Sequence, residues 1–422
     1  MCITYCIELD FVLSLHHKTK HCMTPLKIIT DSELGSNKKK VITSFFYNLN
    51  STIAELAKEL NLSIPTVTKL VNEMVEEGIL NDYGKTDSKS GRKPSTYGLN
   101  PQSGYFLGID IKRGLVNIGI CNFNGEVVRQ DFDIAYNMES QETAIDEICK
   151  IATDFIEGSG IERSKILNAC VNIGGRVNPT TGYCYSMFVF SETPLNEILS
   201  EKMGVPVCIE NDTRAMAYGE CLRGAAKGEK NLLFVNMGWG LGLGIVINGT
   251  VYEGKSGFAG EFGHIHAFDN EIMCHCGKKG CLETEVSGAA LHRRVLESIK
   301  EGKVSILSKQ VQNNENITLQ DIIDSINAED YLCIDLLEDI GIKLGVQLAN
   351  MINIFNPETV VIGGTLSAAG DYLIQPVRQT IKKHSLKLVN SDTKLVCSKL
   401  HDKAGIIGAC MTARRQMFET TN

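Results

Sequence analysis

The feature that most constrains this chain is a cluster of potential metal ligands in its second half. His264 is followed by Cys274, Cys276 and Cys281, and glycines separate the last two cysteines. One histidine and three cysteines form the ligand set of a closed, tetrahedral structural zinc site. Some of the 15 cysteines must lie close together by chance, and buried cysteines often serve only as small apolar side chains. The intervening glycines favour the metal, so we predict a structural zinc that holds a loop without its own core.

Length and composition indicate a globular protein of more than one domain. The chain has 422 residues, of which 43% are hydrophobic and 22% are charged, and chains of this length usually form two or three domains. The cysteines lack the density and regular spacing of a secreted disulfide scaffold, which indicates a reducing compartment. No apolar run approaches the roughly 20 residues of a membrane helix. We therefore expect a cytoplasmic protein without a membrane partner, and a poorly defined extension over residues 1–37.

The charge of the chain changes along its length. Fifty acidic residues against 42 basic ones give a net charge of −8, which argues against a protein that coats nucleic acid with its whole surface. Residues 38–94 nevertheless contain nine Lys or Arg against seven Asp or Glu. A local nucleic-acid site in this segment is therefore compatible with the composition.

Three short helical patterns follow one another in this segment. Each has apolar residues at i, i+3, i+4 and i+7, and three such stripes are enough for a small core. The stripes lie in residues 42–49, 53–60 and 67–74. Before the third stripe, Ser63 is placed to cap a helix and Pro65 falls in its first turn. This is the pattern of a helix-turn-helix whose third helix reads bases in a major groove.

A basic loop between two short strand patterns follows the third helix. Ile79 and Leu80 suit one strand, residues 97–99 suit the other, and the loop over residues 84–94 has four basic residues. A helix-turn-helix with such a wing favours DNA binding, although either part alone would be compatible with a solvated helix face or a linker. We place this domain at residues 38–100. The predicted DNA-binding residues are Ser63, Thr66, Thr68, Lys69, Asn72, Lys89, Arg92 and Lys93.

The rest of the chain has the pattern of an α/β body with two similar halves. Residues 104–111 form a buried strand with a hairpin partner at 115–121. Residues 231–249 repeat a strand, a glycine-rich turn and a second strand. The repetition predicts a duplicated fold with a cleft between two lobes, which we place at residues 101–225 and 226–422.

Four motifs of this body resemble a known family. They are Glu-Asn-Asp-Thr-Arg-Ala-Met-Ala-Tyr-Gly-Glu220, Ala-Gly-Glu-Phe-Gly-His264, Cys-His-Cys-Gly-Lys-Lys-Gly-Cys-Leu-Glu283 and Val-Ile-Gly-Gly-Thr365. Over roughly residues 38–415 the chain resembles the ROK family of repressors, open reading frames and sugar kinases. The resemblance implies an α/β fold in which an N-terminal winged helix-turn-helix precedes a two-lobed, actin-like ATPase body of the sugar-kinase kind. The winged helix resembles that of the family's transcriptional repressors, because its plain kinases lack one.

The resemblance also implies a sugar site between the lobes. The positions that match the family's sugar contacts are Gly175, Asn211, Asp212, Glu261, His264 and Glu283. Asp212 matches the general base of the kinases. The family's zinc ligands match His264, Cys274, Cys276 and Cys281, in agreement with the spacing. His264 serves both sets if one ring nitrogen binds the metal and the other faces the sugar, whereas the alternative role of Asn211 and Asp212 is to cap a helix.

Two departures from the family pattern separate a kinase from a regulator. Family kinases carry Asp-x-Gly-Gly-Thr after the first strand, where small residues let backbone amides approach the phosphates of ATP. Here Lys112 and Arg113 occupy the two glycine positions, and Trp239 lies in the second phosphate loop. We expect ATP and magnesium not to bind, which leaves Asp212 as a vestigial base that grips the sugar. Basic side chains can still attract a phosphate, so residual sugar kinase activity stays open.

The sequence therefore predicts a sugar-responsive transcriptional regulator, specifically a repressor of carbohydrate metabolism genes. Its predicted partners are operator DNA and a sugar or sugar phosphate. A homodimer or homotetramer is expected, because two-fold symmetry matches a palindromic operator. One alternative is a ROK-family sugar kinase with a DNA-binding head. In another, protein partners set the activity and the cleft is vestigial.

Overall fold

The computed structural model describes residues 33–85 and 94–418, and the chain divides into two compact units. The first unit comprises residues 1–104 and 418–422, and the second comprises residues 105–417. Three predicted wing residues, Lys89, Arg92 and Lys93, lie outside the described residues, as does the predicted extension up to residue 32.

The first unit contains a winged helix. Its elements are α1 (Glu33–Tyr47), β1 (Ser51–Thr52), α2 (Ile53–Glu59), α3 (Ile64–Glu76), β2 (Leu80–Lys85) and β3 (Ser95–Leu99). Strand β3 pairs antiparallel with both β1 and β2. The predicted three helices and the two wing strands are confirmed, but the first helix differs in its bounds. It begins at Glu33, within the predicted extension, and ends at Tyr47, so Leu49 lies beyond the helix and is 47% exposed.

Local side-chain contacts explain where the second and third helices begin. Thr52 accepts a hydrogen bond from the Glu55 amide, and the Glu55 carboxylate accepts one from the Thr52 amide at 2.8 Å, which forms a capping box. Ser63 Oγ accepts from the amide of Thr66 at 3.3 Å and caps α3. The predicted apolar stripe of α3 is buried, and its members are Val67, Leu70, Val71 and Met74.

The second unit is built from two halves. The first half contains β4 (Tyr105–Lys112), β5 (Leu115–Asn122), β6 (Val127–Ala135), α4 (Gln141–Glu157), β7 (Ile166–Ile173), β8 (Val177–Asn178), β9 (Tyr183–Cys184), α5 (Leu195–Met203), β10 (Val207–Asn211) and α6 (Asp212–Arg223). The second half contains β11 (Leu232–Met237), β12 (Leu241–Ile247), β13 (Thr250–Val251), α7 (Gly288–Lys300), α8 (Ser308–Gln312), α9 (Leu319–Asn327), α10 (Tyr331–Phe355), β14 (Thr359–Gly363), α11 (Asp371–His384), α12 (Lys387–Asn390), β15 (Lys394–Cys397) and α13 (Ala404–Phe418).

The two five-stranded sheets have the same topology. Their strand orders are β10-β7-β4-β5-β6 and β13-β12-β11-β14-β15, the second being the first read in reverse. In each sheet an antiparallel three-stranded meander is extended by two parallel strands. Each sheet contributes to its own hydrophobic core. The predicted duplicated α/β fold is therefore confirmed.

The last helix, α13, returns to the first sheet. The Asn168 side chain on β7 donates a hydrogen bond to the Ala413 carbonyl at 2.9 Å, and the Cys410 thiol donates to the Phe106 carbonyl on β4. Helix α13 crosses α6 closely, because a Cβ at Gly408 would lie 2.0 Å from the Ala215 carbonyl oxygen. The predicted second lobe, residues 226–422, is corrected on this point, since its last helix packs on the first sheet. The chain thus passes between the halves through residues 224–231 and again through residues 398–403.

The longest helix of the second half is α10, with 25 residues. Its apolar stripe from Leu336 to Ile352 is buried, and Asn356 caps its C-terminal end in a left-handed conformation with φ of 44°. In the part of the chain that the structure describes, no helix is long and apolar enough to cross a membrane.

Candidate functional site

A cavity of about 870 Å³ lies between the two halves of the second unit. Both halves contribute to its wall, and all six positions predicted for the sugar are on it. These are Gly175, Asn211, Asp212, Glu261, His264 and Glu283. The fold therefore brings together residues that are more than a hundred positions apart in the sequence.

The junction of β10 and α6 supplies an amide and a carboxylate. Asn211 Oδ1 accepts from the Arg214 amide at 3.0 Å, and its Nδ2 donates to the Gly175 carbonyl at 2.9 Å. Asn211 is therefore a helix cap, the alternative role, and it lines the cavity as well. One oxygen of Asp212 accepts from the Thr213 amide at 2.7 Å, while burial raises the pKa of the carboxyl.

Asp110 is an acidic residue of the cavity that motif reasoning did not select. Its side chain is 1% exposed, and its Oδ2 has no hydrogen-bond partner among the described residues. Burial, and secondly the charge of Asp212, raises the pKa of Asp110 to about 6, while Lys112 partly offsets that rise. The signal in the sequence was its place as the Asp of the altered phosphate motif.

Residues of the two altered phosphate loops also lie on the cavity wall. Lys112 is the last residue of β4, and Arg113 follows in the exposed turn. Trp239 is 52% exposed, and its ring centroid lies 5.4 Å from that of His292. Bulky side chains thus stand at the positions where small residues were expected in a kinase.

The carboxylate of Glu261 comes from a tightly packed turn. The preceding Gly260 has φ of 90°, and a Cβ there would lie 2.0 Å from the Leu243 carbonyl oxygen, so glycine is required. Glu261 Oε2 lies 3.7 Å from Nε2 of His264, which itself stands in a single 3₁₀ turn. The other ring nitrogen of His264 points away from this carboxylate, towards the cysteines.

Glu283 is held from both sides. Its Oε2 accepts from the Leu241 amide at 2.9 Å, and its Oε1 lies 3.0 Å from Nδ1 of His275. His275 also lines the cavity and was not among the predicted site residues. Its place between two predicted metal ligands was the only signal that could have drawn attention to it.

The four predicted metal ligands converge in space. The ligand atoms of His264, Cys274, Cys276 and Cys281 all lie within 4.8 Å of one another. Two thiol sulfurs, those of Cys276 and Cys281, are 3.6 Å apart, and Nδ1 of His264 is 3.5 Å from Cys274 Sγ. Tetrahedral zinc with ordinary bond lengths requires edges of about 3.8 Å between sulfurs and about 3.6 Å between nitrogen and sulfur. The chain thus presents a possible Cys/His metal site, and its dimensions fit zinc.

The environment of the thiols is also consistent with a metal. Burial raises the pKa of Cys274 to about 12, and a bound cation would offset the cost of forming its thiolate. His264 directs Nδ1 to the sulfurs and Nε2 to the cavity. The arrangement therefore allows the two roles that the sequence assigned to this histidine.

Four of the predicted DNA-binding residues lie on α3 of the first unit, and Ser63 precedes the helix as its cap. Thr66, Lys69 and Asn72 are exposed, and among the described residues Lys69 makes only a long, 4.0 Å ion pair with Glu73. The hydroxyl of Thr68 donates to the Ile64 carbonyl at 2.8 Å, and that of Ser63 is within 2.7 Å of the Thr66 hydroxyl. The polar face is available to DNA, with Ser63 and Thr68 also engaged in their own helix.

Comparison with known proteins agrees with this architecture. Residues 107–416 match the ROK family, and residues 48–81 match a winged helix-turn-helix DNA-binding model. The chain is 30% identical over 378 residues to the xylose repressor of Caldicellulosiruptor bescii, covering 88% of this chain and 94% of that protein. It is 31% identical over 316 residues to the glucokinase of Halalkalibacterium halodurans, covering 74% and 96% respectively. A solved ROK family transcriptional regulator, a homologue of the Escherichia coli Mlc protein, superposes with a TM-score of 0.76 at 27% identity over 90% of this chain and 97% of that chain.

Fold and site together define a class of protein, in which a DNA-binding winged helix is joined to a two-lobed, sugar-kinase-like body. The predicted fold class is confirmed in both parts. The chain belongs to the ROK family.

Proposed function

We propose that this protein is a sugar-responsive transcriptional repressor. Its effector, a sugar or sugar phosphate, binds in the cavity and changes the affinity of the winged helix for operator DNA. The observation that carries this proposal is the presence in one chain of a winged helix with an exposed polar α3 and a cavity lined by carboxylates. Similarity to a xylose repressor and to a ROK family transcriptional regulator supports it.

The chemistry of the cavity suits a polyol. Asp212 from the first half and Glu261 and Glu283 from the second each offer carboxylate oxygens, which accept hydrogen bonds from hydroxyl groups. Asn211 caps α6 and also presents an edge of its side-chain amide to the cavity. Gly175 contributes backbone atoms to the cavity wall. Such hydrogen bonds are strong in a cavity from which water is largely excluded.

The switch needs two states that bind the sugar with different affinity. Because the sugar contacts come from both halves of the body, the halves hold it best when they approach each other. We propose that this movement changes operator binding in a homodimer or homotetramer that acts in the cytoplasm. The two winged helices of a dimer would occupy two operator half-sites.

We further propose that the Cys/His site holds structural zinc. His264, Cys274, Cys276 and Cys281 would be its ligands, and zinc would supply only the bonds that fix this loop. The loop would then hold His264 at a constant position on the cavity wall.

Trp239 offers a direct test of sugar binding. It is the only tryptophan of the chain, it lines the cavity and it is 52% exposed, so a ligand there should change its fluorescence. We would titrate the protein with xylose, glucose, N-acetylglucosamine and their phosphates, and repeat each titration by thermal shift. The expected result is a saturable signal for one sugar class that is lost in Trp239→Phe while its thermal shift persists.

Operator binding is tested with the same ligand. Genomic fragments retained by the protein would be sequenced, and the affinity for a retained fragment measured with and without the sugar at fixed salt concentration. A change in DNA affinity is expected. Sugar binding without any change in DNA affinity would contradict the proposed switch.

A sugar kinase remains a second candidate because of one observation. Asp212 is retained in the cavity, and the chain is 31% identical to a glucokinase. The kinase predicts sugar-dependent ATP turnover that disappears in Asp212→Asn. Sugar binding without ATP turnover would exclude the kinase and support the repressor.

A further inference from the structure

His275 connects the metal loop to the cavity. It lies between Cys274 and Cys276, whose sulfurs belong to the metal cluster, yet its own ring lines the cavity and is 67% exposed. Its ring centroid is 5.0 Å from that of His264. His275 therefore extends into the cavity from between two candidate metal ligands.

The ring of His275 sets the position of Glu283. Nδ1 of His275 lies 3.0 Å from Oε1 of Glu283, and the Leu241 amide lies 2.9 Å from Oε2. The Leu241 amide donates to Glu283, because a carboxylate accepts hydrogen bonds. The His275 ring lies beside the other carboxylate oxygen, and its Nδ1 is also 3.8 Å from Cys274 Sγ. The amide and the ring together determine which acceptor positions of the carboxylate face the cavity.

The ring of His275 also forms part of the cavity wall beside two carboxylates. This corner of the cavity, defined by Glu261, Glu283 and His275, therefore presents two carboxylates, which accept hydrogen bonds, and an imidazole. The donor beside them, Nε2 of His264, lies 3.7 Å from Glu261.

We propose that His275 is a specificity-determining residue for the effector. It positions Glu283, so that the two carboxylates of this corner, Glu261 and Glu283, select neighbouring free hydroxyl groups of a sugar. Phosphate and acyl substituents, which offer acceptors there, are rejected and must lie elsewhere in the cavity. This proposal rests on the proposed sugar-binding function and names the chemistry of one face of its ligand.

A second metal is the main alternative for the same residues. The ligand atoms of His264, His275 and Glu283 also lie within 4.8 Å of one another. A metal there would have to share His264, whose Nδ1 faces the cysteine sulfurs. The two arrangements differ in metal content, because the second site raises it from one ion per chain to two.

The test uses His275→Ala, His275→Gln and, as a matched control on the same loop, Met273→Ala. Met273 is 60% exposed and does not line the cavity. Dissociation constants are measured from Trp239 fluorescence for xylose, glucose and N-acetylglucosamine, and for the deoxy derivatives of the sugar that binds. Metal content is measured for each variant.

His275→Ala is expected to weaken sugar binding by roughly 3- to 10-fold, the effect of about one net hydrogen bond. For one or two deoxy sugars, the affinity lost relative to the parent sugar should be smaller in this variant than in the wild type. The reason is that the protein group contacted by the missing hydroxyl is already absent from the variant. His275→Gln, which keeps a donor and an acceptor, should recover part of the affinity. Met273→Ala should match the wild type, with one zinc in all four proteins.

Several results would overturn the proposal. Unchanged affinity in His275→Ala, or a uniform loss with all deoxy penalties preserved, would remove His275 from recognition while leaving the proposed function intact. If the zinc were lost in His275→Ala alone, His275 would be a residue that supports the metal loop. If the wild type contained two metal ions per chain, His275 would be a metal ligand. If the wild type bound none of the sugars, the proposed function would fail together with this proposal.

Discussion

Replacement of Glu220 by Gln should destabilise the second unit. This carboxylate accepts hydrogen bonds from both segments that connect the two halves of the unit, residues 224–231 and residues 398–403. Glu220 lies on α6 and is 0% exposed. It accepts hydrogen bonds from the Ala225 amide at 2.6 Å on one segment, and from the Ser398 hydroxyl, the Leu400 amide and, at 3.5 Å, the Lys399 amide on the other. The glutamate was quoted in a sequence motif without a role, and the structure supplies one.

The magnitude follows from the geometry of these four bonds. A glutamine keeps one oxygen, which is best placed at Oε1 for Ser398 and Leu400. Its NH₂ group then meets the amide of Ala225 and, at the longer distance, that of Lys399, donor against donor. The orphaned buried amide costs about 1–3 kcal/mol. Removal of a buried charge, whose desolvation costs several kcal/mol, offsets the weakening of the remaining bonds. We therefore expect a net loss of about 1–3 kcal/mol in the free energy of unfolding.

Urea unfolding followed by Trp239 fluorescence measures this loss, since the sole tryptophan lies in the second unit. Glu301→Gln provides the control, because Glu301 is an exposed carboxylate and its substitution should change stability by less than about 0.5 kcal/mol. If Glu220→Gln were as stable as this control, the Glu220 carboxylate would not stabilise the two connecting segments.

Three further predictions concern the metal, a buried acid and the DNA-binding helix. Cys276→Ser should lower the zinc content measured by mass spectrometry, whereas Cys397→Ser, outside the cluster, should not; unchanged zinc in the first variant would refute the metal site. The pKa of Asp110 is about 6 in the folded protein and near 3.8 in the unfolded chain, so the folded protein binds this proton at higher pH. Asp110 therefore makes the folded protein more stable as the pH falls from 7 towards 4. Asp110→Asn should therefore be more stable at pH 7 by about 1–3 kcal/mol and show a smaller change between pH 7 and 5 in urea unfolding, and an equal pH dependence would contradict the raised pKa. Lys69→Ala should weaken operator binding and reduce the salt slope by about 1, with Lys303→Ala as the exposed lysine control outside the winged helix, and an unchanged slope would exclude a phosphate contact by Lys69.

The sequence located the features that depend on local spacing. The cysteines and His264 lie within one short segment, so their spacing alone predicted a cluster that the structure confirms as a possible metal site. The stripes of α2 and α3 were visible for the same reason, because a helix repeats its contacts every three to four residues. The ends of α1 were placed less well, since its first turns lie in a segment without a clear apolar stripe.

The features that the sequence did not reveal depend on contacts between distant segments. Asp110 is buried partly by α13, where a Cβ at Gly405 would lie within 2.7 Å of the carboxylate atoms. No local pattern indicates that contact, or the raised pKa that burial brings. The direction of His275 was equally hidden, because in Cys-x-Cys the fold of the loop decides where the middle side chain points.

The division of the proposed sugar contacts between two halves limits how strongly the sugar can act on DNA. Asn211 and Asp212 belong to the first half, and Glu261 and Glu283 to the second, so an open state keeps only one of these pairs. Loss of about two hydrogen bonds, each contributing roughly 0.5–1.5 kcal/mol, separates the states by about 1–3 kcal/mol. A ligand cannot shift an equilibrium by more than this difference in its own affinity. The sugar should therefore change operator affinity by about 5- to 150-fold at most, the range expected of such a coupling energy, and a larger change would require ligand contacts beyond these four residues.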